Sequence, residues 1–512
     1  MTMEHNIPYS VRRKWMFATI LILVFLGLIE GGCYLVERMF STVTREAPME
    51  SGWQTTFFRS HFDWHESDPN LLWRFKPNLN NRLIKTNSRG FIGDEVVTDK
   101  PDNTYRILLL GDSSPVGLGL SSRAATFAEI LKRRLSMKTP PEVRIEMINA
   151  AVSGYTSEQI VRFMNLEGWD YEPDLVLLYC GNNDASISGY FSDRTLLDRQ
   201  SLRGLRRTLN HLATYRTLRS VIQSIRPRSK TTDSELVVRV SPEEFGENLG
   251  RLADGCRQHD CELIILKPPV PLLWPAGLQF KTFAHTTGDD GELILPPEMI
   301  RILGRELKYC LDTTLFRTLY SDGDLFTKAV YASAFNDGLD PSDAVDYWTH
   351  RIRTESPAPL YLNNLGVSRW RMEQYDVADS VLHSARDVYL SEHSGDISKA
   401  VAAAGSAILF NIGINAISEG QTPSLPHKDT SLPWIYLDSA LQADFFSLRI
   451  KRDYTQMIDA MSDDDVVTVI DLPGLFTANG GEKLFIDHCH PTPQGHLLIA
   501  EELLPVIEAR IK

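Results

Sequence analysis

Arg106–Gly117 reads RILLLGDSSPVG, and its first half decides the fold. Arg106–Leu110 is a short apolar run without polar alternation, which suits a strand buried on both faces. Gly111-Asp112 then ends it. Reading outward, Thr126–Leu135 has helical spacing, Val143–Ile148 alternates as a second strand, and Ser157–Gly168 is helical again. Asp174–Tyr179 (DLVLLY) is a third buried strand. After a basic helical excursion over 190–230, Pro242–His259 reads as a helix and Glu262–Leu266 (ELIIL) as a fourth strand. Asp465–Ile470 (DVVTVI) is the fifth, and a last helix runs from Thr492 to Ile511. Strands alternating with helices predict right-handed βαβ units around a parallel sheet.

Two stretches break this rhythm. Residues 41–100 read as a preface of strands and loops, with turns at Lys76-Pro77-Asn78 and Ser88-Arg89-Gly90. Between Lys267 and Tyr454 the βα pattern stops and the chain looks helical. There Leu365, Gly366, Tyr375, Ala378, Leu382 and Ala385 fall at the offsets of a tetratricopeptide repeat. Ala400–Ser418 is a further helix able to stack on that hairpin. A single repeat cannot bury its own face, so a compact helical lobe inserted in the α/β fold is expected. Such a lobe offers a surface to a protein partner.

The chemistry gathers at strand ends. Gly111-Asp112-Ser113 follows the first strand, Asn149–Gly154 the second, and Gly181-Asn182-Asn183-Asp184 the third. Ligands of parallel sheets bind beyond the carboxyl ends of the strands, so a hydroxyl, a glycine backbone and a side-chain amide converge there. Asp487-His488-Cys489-His490-Pro491 lies after the fifth strand and can reach the same crevice. Acyl transfer needs a nucleophile, a base, a carboxylate that orients the base, and donors for the oxyanion. Ser113 is the candidate nucleophile, His490 the base and Asp487 its orienter. The backbone N–H groups of Ser113 and Gly154 and the amide of Asn183 are the candidate oxyanion hole. Asn182 is the rival of Asn183, and an ordinary helix cap is the rival role for Ser113. Asp112 and Asp184 are read as holding loop backbone, and His488 and His496 are assigned no role. With no perturbing neighbour, His490 would titrate in the usual histidine range near 6–7.

GDSSPVG, NAAVSGYTS, GNND and DHCHP, in this order and each at a strand end, resemble the four blocks of the SGNH/GDSL hydrolase superfamily, which centre on Ser, Gly, Asn and His. The KPN…TNSRGF preface is similar to that of membrane-anchored bacterial members. The resemblance covers residues 75–184 and 465–511. It implies a flavodoxin-like, three-layer α/β fold and favours Asn183 over Asn182. Pro115 departs from the Thr that members often carry. No GxSxG elbow of the α/β-hydrolase type occurs.

Trp15–Val36, WMFATILILVFLGLIEGGCYLV, is a run of 22 residues with one charge, Glu30, directly after Arg12-Arg13-Lys14. A helix of about 20 apolar residues spans a bilayer, and flanking positive charge stays on the cytoplasmic side. A single-pass anchor with the catalytic part outside the cytoplasm is therefore expected. The rivals are a cleaved signal peptide and a lipidated Cys33, but the run is long for the first and Glu30 stands where the second would want an aliphatic residue. The expected organisation is a cytoplasmic N-terminus (1–14), a transmembrane anchor (15–36), the preface (41–100), a first hydrolase part (101–267), the helical lobe (268–454) and a second hydrolase part with Asp487 and His490 (455–512).

The net charge of −13 argues against a nucleic-acid partner. Six cysteines, at 33, 180, 256, 261, 310 and 489, form no CxxC pair and no zinc spacing, so neither a metal nor another cofactor is expected. Cys256 and Cys261 are close enough to pair in an oxidising compartment, or to stay as thiols around a helix end. The expected substrate is an acylated carbohydrate or another acyl ester, processed by hydrolysis or transfer. A lipid esterase is the alternative activity, and a non-catalytic envelope scaffold is the alternative of another class.

Overall fold

The computed structural model describes residues 11–40, 64–68, 70–80, 84–189, 192–198, 212–215, 217, 237–273, 340–355, 357, 359–392, 399–418, 432–444 and 448–511. They belong to two compact units, 1–50 with 198–231, and 51–197 with 232–512. Most of the basic excursion, residues 41–63 of the preface and 274–339 of the expected lobe lie outside the described residues.

In the first unit, helix α1 spans Val11–Phe40. Its side chains Trp15, Leu21, Phe25 and Leu28 are exposed. Glu30, the one charge of the apolar run, is not left alone. Its carboxylate accepts from the N–H groups of Ala213 and Thr214 and from the Thr214 hydroxyl, the last at 2.7 Å. Among the described residues no helix is long and apolar enough to cross a membrane. Side chains 11–14, 22, 23, 26 and 35–40 of α1 lie outside that description.

In the second unit, five strands form one parallel sheet: β1 (Thr104–Gly111), β2 (Arg144–Asn149), β3 (Leu175–Tyr179), β4 (Glu262–Lys267) and β5 (Val467–Asp471). Their order is β2-β1-β3-β4-β5. Every strand expected from the apolar runs is present. The last begins two residues later than expected, because Asp464 and Asp465 are spent on a turn and on Arg257.

Side chains leave the sheet alternately to its two faces. Leu108, Leu110, Val176, Leu178, Leu263 and Ile265 pack on one side. They meet α4 (Ser157–Phe163) and α5 (Pro242–Gln258). Ile107, Leu109, Leu177, Ile264 and Leu266 pack on the other, against α3 (Phe127–Lys138) and α11 (Pro493–Glu508). The result is a three-layer α/β/α architecture with the strand order of flavodoxin-like folds. Each fully buried leucine contributes roughly 1.5–3 kcal/mol relative to exposure. The helix expected to run through Gly168 instead turns more widely after Phe163, over Met164–Gly168.

A helical lobe follows the fourth strand. Among the described residues it comprises α6 (Pro341–Glu355), α7 (Pro359–Arg371), α8 (Tyr375–Glu392), α9 (Lys399–Ser418) and α10 (Leu432–Ala443). Gly366 of α7 faces Leu382 of α8 so closely that a Cβ there would lie 2.6 Å from Leu382 Cγ. Ile408 and Ile412 of α9 close over Leu382, Ala385 and Tyr389. Asn411 donates to Asn363 at 2.8 Å, a buried amide pair that fixes the stagger of α9 on α7. Phe410, Ile414, Trp434 and Leu437 join the same apolar cluster as the sheet, so the lobe shares the core of the α/β part. Ala378 is fully buried. Ala378→Arg should therefore destabilise the protein by several kcal/mol, since a charge is forced into an apolar seam. Thermal unfolding measures it, and a wild-type melting temperature would put residue 378 at the surface.

The preface contains a hairpin, His65–Asp68 with Leu72–Phe75. Its turn signals are used as expected. Asn78 takes a φ of 57°, and Gly90 a φ of 84° against the Phe75 carbonyl, where a side chain would collide. Cys256 and Cys261 are both free thiols.

Candidate active site

Four loops at the carboxyl end of the sheet build the site. β1 ends at Gly111, where a Cβ would strike the Tyr179 carbonyl. Asp112 then caps a single helical turn, α2 (Ser113–Val116), by accepting from the Ser114 N–H at 2.9 Å. Gly117, with a φ of 80°, ends that turn. Ser113 is its first residue, so the Ser113 N–H has no acceptor within the turn. The two serine hydroxyls take different partners on the histidine loop. Ser114 is buried and its hydroxyl donates to the Cys489 carbonyl at 3.3 Å. Ser113 Oγ lies 2.7 Å from His490 Nε2.

The histidine loop is pinned by its own backbone, with the Ile486 N–H donating to the His490 carbonyl at 2.8 Å. Asp487 sits at its tip. Its carboxylate lies 2.7 Å from His490 Nδ1 and accepts from the N–H groups of Cys489 and His490 at 3.0 and 2.9 Å. Burial alone would raise the Asp487 carboxyl, but charged His490 and His488 and these donors hold it well below the usual carboxylate range. For His490, burial disfavours the cation, but the adjoining Asp487 carboxylate outweighs it, so the imidazole titrates well above its ordinary value. The expectation of a histidine near 6–7 is corrected by that pairing.

His488 and His496 differ in place. Burial lowers His496 to about 3, and its Nδ1 accepts from the Phe127 N–H at 3.2 Å, a packing role. Burial lowers His488 to about 4, with its ring 5.6 Å from that of His490. Asp487, His488 and Cys489 bring three donor atoms within 4.8 Å of one another. However, the Asp487 oxygens already serve His490, and burial pushes the Cys489 thiol up to about 11.

Gly154 carries a φ of 82°, and its N–H has no acceptor among the described residues. The half-buried Asn183 donates through Nδ2 to the Tyr155 carbonyl at 3.2 Å, which ties it to the Gly154 loop. Asn182 is buried and its side-chain carbonyl accepts from the Ile450 N–H at 3.0 Å. Asp184 accepts from the Ser157 N–H and hydroxyl at 2.9 and 2.6 Å, and burial pushes its carboxyl up to about 7. The candidate residues thus fall into a bonded chain, Ser113–His490–Asp487, and a loop pair, Gly154 and Asn183. Two residues that the spacing does not single out also reach the loop, Trp73 and Arg239. The only signal for them is a tryptophan inside the short strand Leu72–Phe75 and an arginine directly after the short strand Val237–Val238.

Such an arrangement can pass the Ser113 Oγ proton to His490 Nε2 while Oγ attacks an electrophilic carbon. Asn183→Ala should lower kcat by about 10²–10³ with little change in KM, since one oxyanion donor is worth roughly 2.7–4 kcal/mol. Asn182→Ala should act on the melting temperature instead, by freeing the Ile450 N–H. Steady-state kinetics on both variants separate the two asparagines, and the reverse pattern would exchange their roles.

No family model and no curated protein matches the chain. Among solved structures the chain is similar to TesA, at 19% identity over 39% of this chain and 81% of that one, with a TM-score of 0.21. It is also similar to the lipase/acylhydrolase from Enterococcus faecalis, at 18% identity over 41% and 84% with a TM-score of 0.20. A catalytic mutant of Axe2, an acetylxylan esterase from Geobacillus stearothermophilus, gives 14% identity over 37% and 72%, again with a TM-score of 0.20.

Proposed function

We propose that this chain is a serine hydrolase of the SGNH/GDSL type, held to a membrane by α1, that moves acyl groups of esters outside the cytoplasm. The observation that carries the chemistry is the unbroken chain from Ser113 Oγ through His490 to Asp487, with both links at 2.7 Å. His490 Nε2 takes the Ser113 proton as Oγ attacks the ester carbonyl. The resulting oxyanion is met by the N–H groups of Ser113 and Gly154 and the Asn183 amide. Collapse breaks the C–O bond, and His490 returns the proton to the departing alcohol. The acyl group is left on Ser113. Water, or the hydroxyl of an acceptor, then attacks with His490 again as base, releasing an acid or a new ester.

A carbohydrate ester is the favoured substrate, because a tethered enzyme facing outward meets exported glycans. The exposed apolar face of α1 suits a lipid ester as well, which makes lipid hydrolysis the second reading. Support for the anchor comes from the 22-residue run after Arg12-Arg13-Lys14, which lies inside a helix of 30 residues. At 1.5 Å per residue that helix is about 45 Å long, more than the roughly 30 Å hydrocarbon core requires. The donors on Glu30 lower the cost of holding that carboxylate near the lipid.

A panel of acetylated glycans and short and long p-nitrophenyl esters, with a fluorophosphonate probe as control, tests the activity. Deacetylation of glycans supports the first reading and preference for long chains the second. No labelling of folded protein leaves the scaffold reading. For topology, a reporter active only outside the cytoplasm, fused after Lys512, should be active, and alkaline carbonate should leave the chain in the membrane. Cytoplasmic reporter activity overturns the orientation.

A further inference from the structure

We infer that Trp73 and Arg239 are positioning residues that aim the Gly154 N–H at the oxyanion, an inference that rests on the acyl-transfer reading of Ser113 and His490. A trans peptide is planar, so the Ser153 carbonyl and the Gly154 N–H lie in one plane and point in opposite directions within it. Trp73, from the hairpin strand Leu72–Phe75, donates its indole N–H to that carbonyl at 3.1 Å. Holding the carbonyl fixes where the Gly154 N–H points. The next peptide is held too, because Arg239 Nη1 donates to the Gly154 carbonyl at 2.6 Å. A glycine with a φ of 82° has little of its own to hold it, and here both flanking peptides are clamped.

The clamp is itself built to stay still. Arg239 is buried, and its guanidinium lies over the Trp73 ring with its carbon 5.3 Å from the ring centroid. Its Nη2 donates to Asp193 Oδ2 at 2.7 Å and to Gln159 Oε1 at 2.8 Å, and its Nε to Asp193 Oδ2 at 3.1 Å. Gln159 in turn donates to the Leu71 carbonyl at 2.7 Å, and the Tyr155 hydroxyl to the Trp73 carbonyl at 2.8 Å. The hairpin, the Gly154 loop and the strand before α5 thus share one buried network. An oxyanion donor stabilises a transition state only when its direction is set beforehand, which is what this network does.

A purely structural role would show in stability alone, so the test reads kcat apart from KM. Trp73→Phe removes the indole N–H and keeps a ring beneath Arg239. On the full-length protein with p-nitrophenyl acetate, it should lower kcat by about 10- to 100-fold with KM within about two-fold. Fluorophosphonate labelling of Ser113 should slow by the same factor, and the pH profile should not move. Arg74→Gln frees the same hairpin from Glu167, a 2.9 Å ion pair that makes no hydrogen bond to the peptides flanking Gly154 among the described residues, and should keep kcat within about two-fold. If Trp73→Phe folds but keeps the wild-type kcat and labelling rate, or if both variants lose activity alike, the inference is overturned. Should Trp73→Phe fail to fold, Arg239→Lys tests the other tether. A lysine can face Asp193 but cannot also reach Gly154 and Gln159, so the same kcat loss is expected, and an unchanged kcat overturns the inference. Wild-type protein that takes no label would refute the acyl-transfer reading instead.

Discussion

Ser113→Ala should abolish fluorophosphonate labelling and cut turnover by about 10⁶, the scale seen when a triad nucleophile is lost. Adjacent serines make this a sharp test. Ser113 Oγ is the hydroxyl that lies 2.7 Å from His490 Nε2. Ser114 Oγ is buried and donates to the Cys489 carbonyl, so it ties the nucleophile turn to the histidine loop. Pro115 comes next inside the same helical turn, and its fixed φ stiffens the backbone that carries Ser114. Ser114→Ala should keep labelling and lose at most a few tens-fold, because the loop loosens while the nucleophile stays. Intact-mass analysis after labelling reads both variants. A probe found on Ser114, or on neither serine of folded protein, would remove the mechanism.

Asp487→Asn should lower kcat by about 10⁴. The reason is tautomeric. The carboxylate accepts from His490 Nδ1–H and so leaves Nε2 as the acceptor that faces Ser113. An asparagine amide offers a donor at that place and turns the proton toward the serine. The pH profile should move as well. Turnover needs neutral His490, so it falls as pH drops through the imidazole pKa. Burial works against the cation, while the Asp487 carboxylate raises that pKa well above the ordinary 6.5. Wild-type activity should therefore begin to fall above that ordinary value on acidification. In Asp487→Asn the residual activity should persist to lower pH, since the largest influence that raises the imidazole is removed while the opposing burial remains. An acid limb that stays in place would mean that another group sets it.

Much of this site is legible in the sequence alone, and the reason lies in geometry. A strand buried on both faces must be an unbroken apolar run, so RILLL and DLVLLY declare themselves. Residues just beyond the carboxyl end of a parallel strand sit at the crevice, so Ser113, Gly154 and Asn183 come with the topology. Asp487 and His490 are three residues apart, a local relation that spacing conveys. Trp73 and Arg239 are not legible, because each acts on a peptide at least eighty residues away, through a single hydrogen bond. The partners of Glu30 are hidden for the same reason, lying on a separate segment. The rise in the His490 pKa escapes a reading of the sequence because it depends on how deeply the pair is buried, and neighbouring letters do not carry burial.

The position of β5 has a consequence in time. β5 pairs with β4, Leu263 opposite Val467, across roughly 200 residues of intervening chain. Asp487 and His490 come after it. During synthesis the serine turn, the glycine loop and the asparagine loop emerge early, around a sheet whose β4 edge stays bare. Such an edge is open to wrong pairing until Val467–Asp471 docks. Through that interval the nascent chain holds a serine with no base to activate it. On the acyl-transfer reading, bond making is thus withheld until the segment that follows the last strand is seated.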